Sequence, residues 1–494
     1  MTSESIPIPA DLAAPAASSG VLQLHTKVLY GIGEISNSIK SYAFGLLLLF
    51  FYTSVLGLPG TLAGAATAIT LVWDSVIDPL IGHWSDRAHI RFGRRHSFMV
   101  VGAISMGIFF FLIFSPPAGL TAGGLFAWLM VTNILLRTSN SVFMVPYHAL
   151  GAELSNDYNE RTSITGIRAA LSLFGTLMVA GLVFVVFFPN VTPGVDPKFN
   201  VSGYTAMGAA LGIAITVLGL IAVAGTLSQR SRLAEPAAAD AAGEDKIGFF
   251  AGLLLALKNN SFLMLVLASS IFFLASVINA TLAVHYLTYY AQITDSRALS
   301  LFSLSFYVGA LVGAFVWIRV SKRVEKQRLF IVNTLILAVI MSAAYWLVGP
   351  GHLLGTGNVL PLIIGNTLGG FFAAALWVVP ASMVADVTDE DELLTGKKRS
   401  GTFFGINSFF VQEATAVALL VTGVLIEHFA GLTPGQVAQS AQTAERLGML
   451  FALLPAALYV VAALLMFRYR LTRQRVADIR VQLQAAHSGG ETLV

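Results

Sequence analysis

Two aspartates lie inside an apolar part of the chain, in the segment WDSVIDPLIGHWSDRAHIRFGRRHSF from Trp73 to Phe98. Asp74 and Asp78 are four residues apart, so a helix would carry both carboxylates on one face. Like charges on that face repel each other, and an apolar environment makes each charge costly. The pair would persist if a cation lay between the carboxylates or if one of them were protonated. Both possibilities predict a cation-coupling site. The structural alternative is that one aspartate caps a neighbouring helix or pairs with an arginine.

A second segment carries four side chains at helical spacing that would share one face: Arg137, Ser141, Met144 and His148. Arg168 follows on the next apolar segment. Because guanidinium groups bind carboxylate, sulfate and phosphate groups bidentately, Arg137 and Arg168 together favour a solute with such a group. The alternative is that Arg137 neutralises one of the two aspartates in one state of the protein.

The first apolar segment has a polar face made by Glu34, Asn37, Ser38, Lys40 and Ser41. Asn37 and Ser38 are candidate contacts of a solute. Glu34 and Lys40 could supply polar groups to the same cavity, or they could simply pair with each other.

The C-terminal half of the chain offers fewer candidates. Trp377 and Gln412 could contact a solute, although a single polar residue in an apolar helix more often packs against a neighbouring helix. Asp386 begins an acidic run that is followed by TGKKR. We expect this charge cluster to help close a gate, with solvated surface charge as the alternative.

Charged residues also follow the two aspartates, where the apolar segment ends. Asp86 and Arg87 are adjacent, and the arginine run that follows includes Arg94 and Arg95. We predict that these side chains make gating contacts between helices rather than contacts with a solute.

The composition places these residues in a membrane protein. Of the 494 residues, 56% are hydrophobic and 11% are charged, and the mean hydropathy is +0.77. A soluble domain normally has about twice that charged fraction, so the chain is expected to cross the bilayer many times. The sequence has no cysteine, which excludes disulfides and thiolate metal sites.

The apolar runs predict an all-α membrane protein with twelve transmembrane helices in two six-helix bundles. The longest polar connector divides the spans six and six. The predicted units are a disordered tail 1–24, a first bundle 25–228, a cytoplasmic loop 229–258, a second bundle 259–470 and a cytoplasmic tail 471–494 with a short amphipathic segment.

The basic residues predict the orientation. Of the 29 Lys and Arg residues, 23 lie in segments on the side of both termini, 3 in the loops of the other side and 3 within spans. By the positive-inside rule, both termini are expected in the cytoplasm of a cell whose plasma or inner membrane holds the protein.

Several segments resemble one transporter family. The run WDSVIDPLIG with the following RFGRR, together with YGIGE, VPYHALGAELSNDYNERTSI and MVADVTDEDELLTGKKRSGTFFG, is similar to the glycoside–pentoside–hexuronide:cation symporters (melibiose-permease-like) of the major facilitator superfamily. The resemblance covers most of the chain. It implies that Asp74, Asp78 and Ser141 bind the coupling cation and that Arg168 contacts sugar hydroxyls.

The chain departs from the family pattern at several positions. An amide that the family associates with Na⁺ is Ile77 here, which favours H⁺ as the coupling ion. Two sugar-binding acids of the family are matched by Ser38 and Met144, and its stacking tryptophan is matched by His148. A lysine common in the family is matched by Gln412. These losses count against a galactoside and suit a more apolar solute, as in the lysophospholipid-carrying branch.

The resulting interpretation is a secondary active transporter that couples H⁺, or Na⁺, to a glycoside or related organic solute by alternating access. The alternative on the same fold is a carrier of an amphipathic lipid or organic anion. A membrane enzyme or receptor is a third class, but no nucleophile–base pair, phosphate-binding glycine loop or metal motif appears. We expect no cofactor beyond the coupling ion, no nucleic acid partner, and function as a single chain.

Overall fold

The chain folds into long helices, most of which are joined by short connections. The computed structural model describes residues 22–88, 93–155, 157–190, 196–229, 249–397 and 399–490, and the regular structure in them is helical. The helices are α1 (Leu24–Ala43), α2 (Gly60–Arg87), α3 (Arg94–Ile113), α4 (Ala122–Glu153), α5 (Tyr158–Phe187), α6 (Val201–Leu227), α7 (Phe249–Lys258), α8 (Asn260–His285), α9 (Ser296–Val320), α10 (Lys326–Leu347), α11 (Leu360–Thr395), α12 (Ser400–Val424), α13 (Ala441–Met466) and α14 (Arg473–Gly490).

The long helices form two groups of six, as the sequence predicts. In the first half, α1 packs against α5 and α6, and α3 packs against α4 and α6. In the second half, α8 packs against α12 and α13, and α9 packs against α11. The halves meet where α2 packs on α12 and where α5 packs on α9.

The chain is a multi-pass membrane protein. Ten helices within the described residues are long and apolar enough to cross a membrane. The remaining long helices are α1, which continues through π-helical turns to Val55, and α4. Both contain charged residues within their spans, Glu34 and Lys40 in α1 and Arg137 in α4, which lowers their hydropathy. Together the twelve helices make up the predicted fold.

Small residues let the two halves approach closely at the start of α2. A Cβ atom added to Gly60 would lie 2.5 Å from the carbonyl oxygen of Gly423 on α12, and one added to Gly64 would lie 2.8 Å from that of Leu419. Helices in lipid associate by van der Waals packing, which small residues strengthen because they bring the backbones together.

The two ends of the bundle differ in how the halves contact each other. We call the end that carries the α2–α3, α4–α5, α9–α10 and α11–α12 connections the basic end, and the other the opposite end. Hydrogen bonds join the halves at the opposite end: Thr53 Oγ1 to His285 Nε2 at 3.0 Å, and Asn190 Nδ2 to Asp295 Oδ1 at 2.8 Å. Toward the basic end, the last two turns of α2 are largely exposed.

A buried lysine strengthens the contact at the opposite end. Lys198 is fully buried, pairs with Asp196 at 2.8 Å and donates a hydrogen bond to the Ile293 carbonyl oxygen of the second half at 2.8 Å. Burial lowers the pKa of Lys198, and the Asp196 carboxylate opposes that shift. The lysine thus ties the loop before α6 to the loop before α9.

Two segments predicted as a loop and a tail contain helices. The connector 229–258 ends in α7, and the tail 471–494 contains α14. The α14 helix is amphipathic and buries Val476 and Ile479, while Arg480 pairs with Asp386 and Asp389 of α11. The sequence view underestimated this helix because its apolar face is short. Most of the predicted tail 1–24 lies outside the described residues.

Candidate functional site

The aspartate pair lies on α2, on the side that faces α4 and α1. Asp74 Oδ2 forms an ion pair with Arg137 Nη1 of α4, and both side chains are about one-sixth exposed, at 16% and 15%. The other carboxylate oxygen of Asp74 is buried and has no hydrogen-bond partner among the described residues. The structure therefore favours the alternative in which Arg137 neutralises an aspartate over the one in which it binds a solute.

Asp78 is more accessible than Asp74. Its residue surface is exposed, while Ser141 and Arg137 of α4 and Lys40 of α1 lie close enough to interact with its carboxylate. Pro79 follows it directly inside α2, and a proline there removes one helical hydrogen bond from the preceding turn. We call Lys40, Asp74, Asp78 and Arg137 the charge cluster. It contains two charges of each sign.

Ser141, predicted to bind the cation, lies at the edge of the charge cluster. It is buried, and its hydroxyl donates to the carbonyl oxygen of Arg137 at 3.2 Å. A hydroxyl oxygen still has acceptor capacity when its proton is donated elsewhere. Ser141 can thus accept a hydrogen bond from a protonated Asp78 or offer an oxygen to a cation.

A second group of polar side chains surrounds Glu34 of α1. Glu34 Oε2 lies 3.6 Å from Arg168 Nε of α5 and 3.6 Å from His148 Nε2 of α4, and Asn37 Nδ2 donates to Glu34 Oε1 at 3.4 Å. We call these four residues the Glu34 cluster. The 3.6 Å separations are longer than good hydrogen bonds, so the guanidinium and imidazole groups keep donors for another partner.

Of the two alternatives for Glu34 and Lys40, the structure does not show the one in which they pair with each other. Glu34 faces Arg168 and His148, and no ion pair of Lys40 within 4 Å occurs among the described residues. The reason is helical geometry: the two residues are six apart, which places their side chains on different sides of α1. Lys40 instead faces Asp74 and Asp78.

Ser38 has a mainly structural environment. It is buried, its hydroxyl lies 2.9 Å from that of Ser172 on α5, and it also contacts the Glu34 carbonyl oxygen at 3.1 Å. The serine that replaces a sugar-binding acid of the resembled family therefore joins α1 to α5, adjacent to the Glu34 cluster.

Three other predicted solute contacts lie apart from the Glu34 cluster. Met144 is only 6% exposed and belongs to the packed core of the first half, so a solute does not reach it in this conformation. Gln412 donates to the Leu71 carbonyl oxygen at 3.4 Å, where α2 meets α12. Trp377 lies in the second half, 45% exposed.

The predicted gating side chains make their contacts within each half. Arg95 pairs with Asp86 and, at 2.7 Å, with Glu153, while Arg94 pairs with Glu153 at 2.9 Å. In the second half, Asp386 pairs with Lys326 and Arg480. Arg87 is exposed at the end of α2. Such pairs hold neighbouring helices of one half together at the basic end, and their gating role remains a prediction.

Sequence reasoning gave too little weight to Glu34, Lys40 and Glu413. Glu34 organises the cluster around Arg168 and His148, and Lys40 completes the charge cluster. Glu413 accepts a hydrogen bond from Ser75 across the two halves at 3.4 Å. The available signal was the charge itself, because an ionisable residue in a membrane span is expected to be functional by default.

Together the charge cluster, the adjoining Ser141 and the Glu34 cluster present carboxylates, a hydroxyl, a guanidinium and an imidazole. Among the described residues, no group of three or more His, Asp or Glu side chains is placed to hold a metal ion. The charge cluster and the Glu34 cluster lie on adjacent faces of α1, through Lys40 and Glu34. A movement of α1 would therefore shift side chains of both clusters.

Comparisons with known proteins agree with the architecture. The family described as MFS/sugar transport protein matches residues 29–473. The uncharacterized symporter sll1374 of Synechocystis is 26% identical, over 95% of this chain and 98% of that protein. The putative glycoside/cation symporter YagG of Escherichia coli is 25% identical, over 94% and 95%. The fold is similar to that of a bacterial homolog of the human lysosomal transporter Spinster, solved in an inward-facing and unoccupied conformation, with a TM-score of 0.64, 15% identity, and coverage of 93% and 100%.

Proposed function

The chain belongs to the family of MFS/sugar transport proteins, and from this premise we propose that it is a secondary active symporter for a glycoside or related organic solute. The names of its relatives support symport. The observation that carries the proposal is the charge cluster, in which an accessible Asp78 lies beside an aspartate that already has a cationic partner.

The charge cluster favours H⁺ over Na⁺ as the coupling ion. Lys40 and Arg137 balance the two aspartates, so a metal cation would meet two positive charges at close range. A proton needs no such space, because it binds Asp78 covalently and removes its charge. Ser141 can then accept the new hydrogen bond.

The basic end is proposed to face the cytoplasm, in agreement with the positive-inside rule. The hydrogen bonds at the opposite end and the exposed last turns of α2 then describe a carrier that is open to the cytoplasm and closed to the outside. The ion pairs of Asp86, Arg94, Arg95 and Asp386 stabilise each half while the two halves move relative to each other.

The cycle follows from the cost of burying charge. A protonated Asp78 can enter a closed, drier cavity, whereas an ionised Asp78 resists that closure. The solute binds beside it at the Glu34 cluster, where Arg168 and His148 supply donors. The carrier therefore changes between its two states only when it is fully loaded or empty. This couples the movement of the proton to the movement of the solute.

Gradient-driven uptake tests the proposal. The purified protein is reconstituted into liposomes and assayed with a panel of radiolabelled glycosides under an imposed pH gradient or Na⁺ gradient. We expect accumulation with the pH gradient and its loss in Asp78→Asn and Asp74→Asn. Asp78→Asn should retain solute exchange without a gradient, since the neutral side chain mimics the protonated state.

Asp478→Asn is the matched control, because Asp478 is an exposed carboxylate on α14. It should accumulate solute like the wild type. Undiminished accumulation in both helix-two variants would contradict the coupling role, and dependence on Na⁺ alone would contradict the choice of ion.

A further inference from the structure

A pocket that the symport mechanism above does not use lies between α1 and the second half. It has a volume of about 170 Å³ and lies between α1 and helices α8, α9, α10, α11 and α13. Aromatic side chains line much of it: Tyr42 from α1, and Phe302, Phe306, Tyr307, Trp377, Phe451 and Tyr459 from the second half. We call this cavity the aromatic pocket.

Two amides and two hydroxyls of the aromatic pocket are already engaged by the protein. Asn279 Nδ2 donates to the Phe451 carbonyl oxygen at 2.9 Å, and Asn366 Nδ2 donates to the Phe302 carbonyl oxygen at 2.7 Å. The hydroxyls of Ser276 and Tyr459 pair at 3.1 Å. The hydroxyls of Tyr42 and Ser303 also line the pocket and have no hydrogen-bond partner among the described residues. Because the other donors are used internally, a sugar ring would still leave several of its hydroxyls unpaired there, which is costly. The pocket thus fits an apolar group better.

The aromatic pocket is continuous with the polar face of α1. Ser41 and Gly45 line the pocket, and Glu34, Asn37 and Ser41 follow one another at helical spacing on α1. Seven residues of helix separate Glu34 from Ser41, which is a distance of about 10 Å along the axis. One solute of modest length can therefore reach both regions.

We infer that the transported solute is amphipathic, with a polar head at the Glu34 cluster and an apolar group in the aromatic pocket. This inference rests on the proposed function and adds the class of solute. The pocket is slightly larger than a cavity of about 150 Å³ that binds benzene in another protein. An aryl group or a short alkyl chain therefore fills it.

Two glycines on α11 allow the pocket to be tested without disturbing the helix packing. Gly369 lines the aromatic pocket, and a Cβ atom added there would meet nothing within 4 Å. Gly365 lies one turn away, also has open space, and does not line the pocket itself. It lines a neighbouring groove of about 400 Å³, which shares Phe302, Met341, Asn366 and Phe451 with the pocket. Gly369→Leu fills the pocket, and Gly365→Leu is its matched control.

Equilibrium binding to the protein in lipid nanodiscs provides the measurement. The probes are methyl and phenyl β-D-glucosides and the corresponding glucuronides, so that the apolar group varies on a constant head. For at least one head, we expect the phenyl compound to bind about tenfold more tightly than the methyl compound, because it buries more apolar surface. Gly369→Leu should reduce that ratio to about one, and Gly365→Leu should retain it.

Trp377→Ala is a second test that does not depend on Gly369→Leu folding correctly. Loss of the indole opens the wall of the pocket, so the phenyl preference should fall and a 2-naphthyl glycoside should gain relative to phenyl. The inference is wrong if no phenyl compound binds more tightly than its methyl partner, or if the preference survives Gly369→Leu. Equal loss in Gly365→Leu would also contradict it.

The two proposals fail in different ways. The binding assay uses no ion gradient, so it does not depend on coupling. If the phenyl compound is preferred but no solute accumulates under a gradient, the inference of an amphipathic solute stands and the symport mechanism is wrong. If a glycoside accumulates under a gradient but the phenyl compound is not preferred, the symport mechanism stands. The aromatic pocket is then not part of the solute site.

Discussion

At the scale of single residues, charge balance decides the character of the site. An aspartate in a membrane span is costly, and the ion pair with Arg137 offsets that cost for Asp74. Asp78 has Lys40 and Arg137 near it and remains accessible. The two aspartates, equivalent in the sequence, therefore differ in the structure: Asp74 is paired with an arginine, and Asp78 is more exposed.

A double-mutant cycle tests the pair of Asp74 and Arg137. Arg137→Gln should destabilise the protein by about 2 kcal/mol, between the small effect of exposed pairs and the larger effect of buried ones, because it leaves a partly buried carboxylate alone. The double variant Asp74→Asn/Arg137→Gln should recover most of that loss. The measurement is the apparent Tm in detergent. Additive losses in the double variant would show that the two side chains do not stabilise each other.

At the scale of helices, glycines determine which surfaces can touch. Gly370 of α11 lies against the Phe306 carbonyl of α9, and an added Cβ atom would overlap that oxygen and lie 3.0 Å from the Ala310 nitrogen. Its neighbour Gly369 faces the open aromatic pocket. Two adjacent glycines thus serve different purposes, since one permits a close helix contact and the other leaves a cavity open.

Alanine substitutions separate these two purposes. Gly370→Ala should lower the free energy of unfolding by about 1–3 kcal/mol, because the methyl group forces α9 and α11 apart. Gly369→Ala should be neutral or stabilise by up to about 1 kcal/mol, since alanine is the better helix former. Thermal unfolding of both variants checks the prediction. Equal Tm values would show that the α9–α11 contact can relax around a methyl group.

At the scale of the whole molecule, the two halves repeat each other more clearly in structure than in sequence. Leu56 N donates to Phe51 O and Ala291 N to Tyr286 O, each at 2.9 Å, so α1 and α8 end in the same π-helical turn. These turns meet where Thr53 contacts His285. Next to the basic loops, Arg95 at the start of α3 and Lys326 at the start of α10 each pair with an acid on the fourth long helix of their half. The sequence shows only a faint similarity of these loops.

Thiol labelling tests the orientation and the open end together. The chain has no cysteine, so a single introduced cysteine has no background. His148→Cys replaces a side chain that is 50% exposed and faces Glu34. In sided vesicles, a membrane-impermeant maleimide should label it from the cytoplasmic side and not from the outside.

Thr53→Cys is the control at the closed end, because Thr53 is fully buried. It should resist the reagent from both sides in the absence of solute. Labelling of His148→Cys from the outside alone would contradict the proposed orientation, and rapid labelling of Thr53→Cys would contradict closure at the opposite end.

Sequence alone determined the class of protein, the number of long helices and the positions of the ionisable residues. A long apolar run in lipid must satisfy its own backbone hydrogen bonds, and a helix does so within one segment. The twelve helices and their division into halves could therefore be predicted. The spacing of Asp74 and Asp78 could also be read directly. The α14 helix was underestimated, because its stability comes from docking on α11 through Arg480 rather than from its own composition.

Tertiary structure alone decided which charges meet. From the sequence, Arg137 could pair with one of the two aspartates, Asp74 or Asp78, or bind a solute. Glu34 had Lys40 as a possible partner. The rotation of α1 and its packing against α4 and α5 placed Glu34 beside Arg168 instead. Helical periodicity predicts which residues share a face of a helix. The direction of that face depends on contacts between residues that lie far apart in the sequence, such as Glu34 and Arg168. Contacts of this kind also form the aromatic pocket.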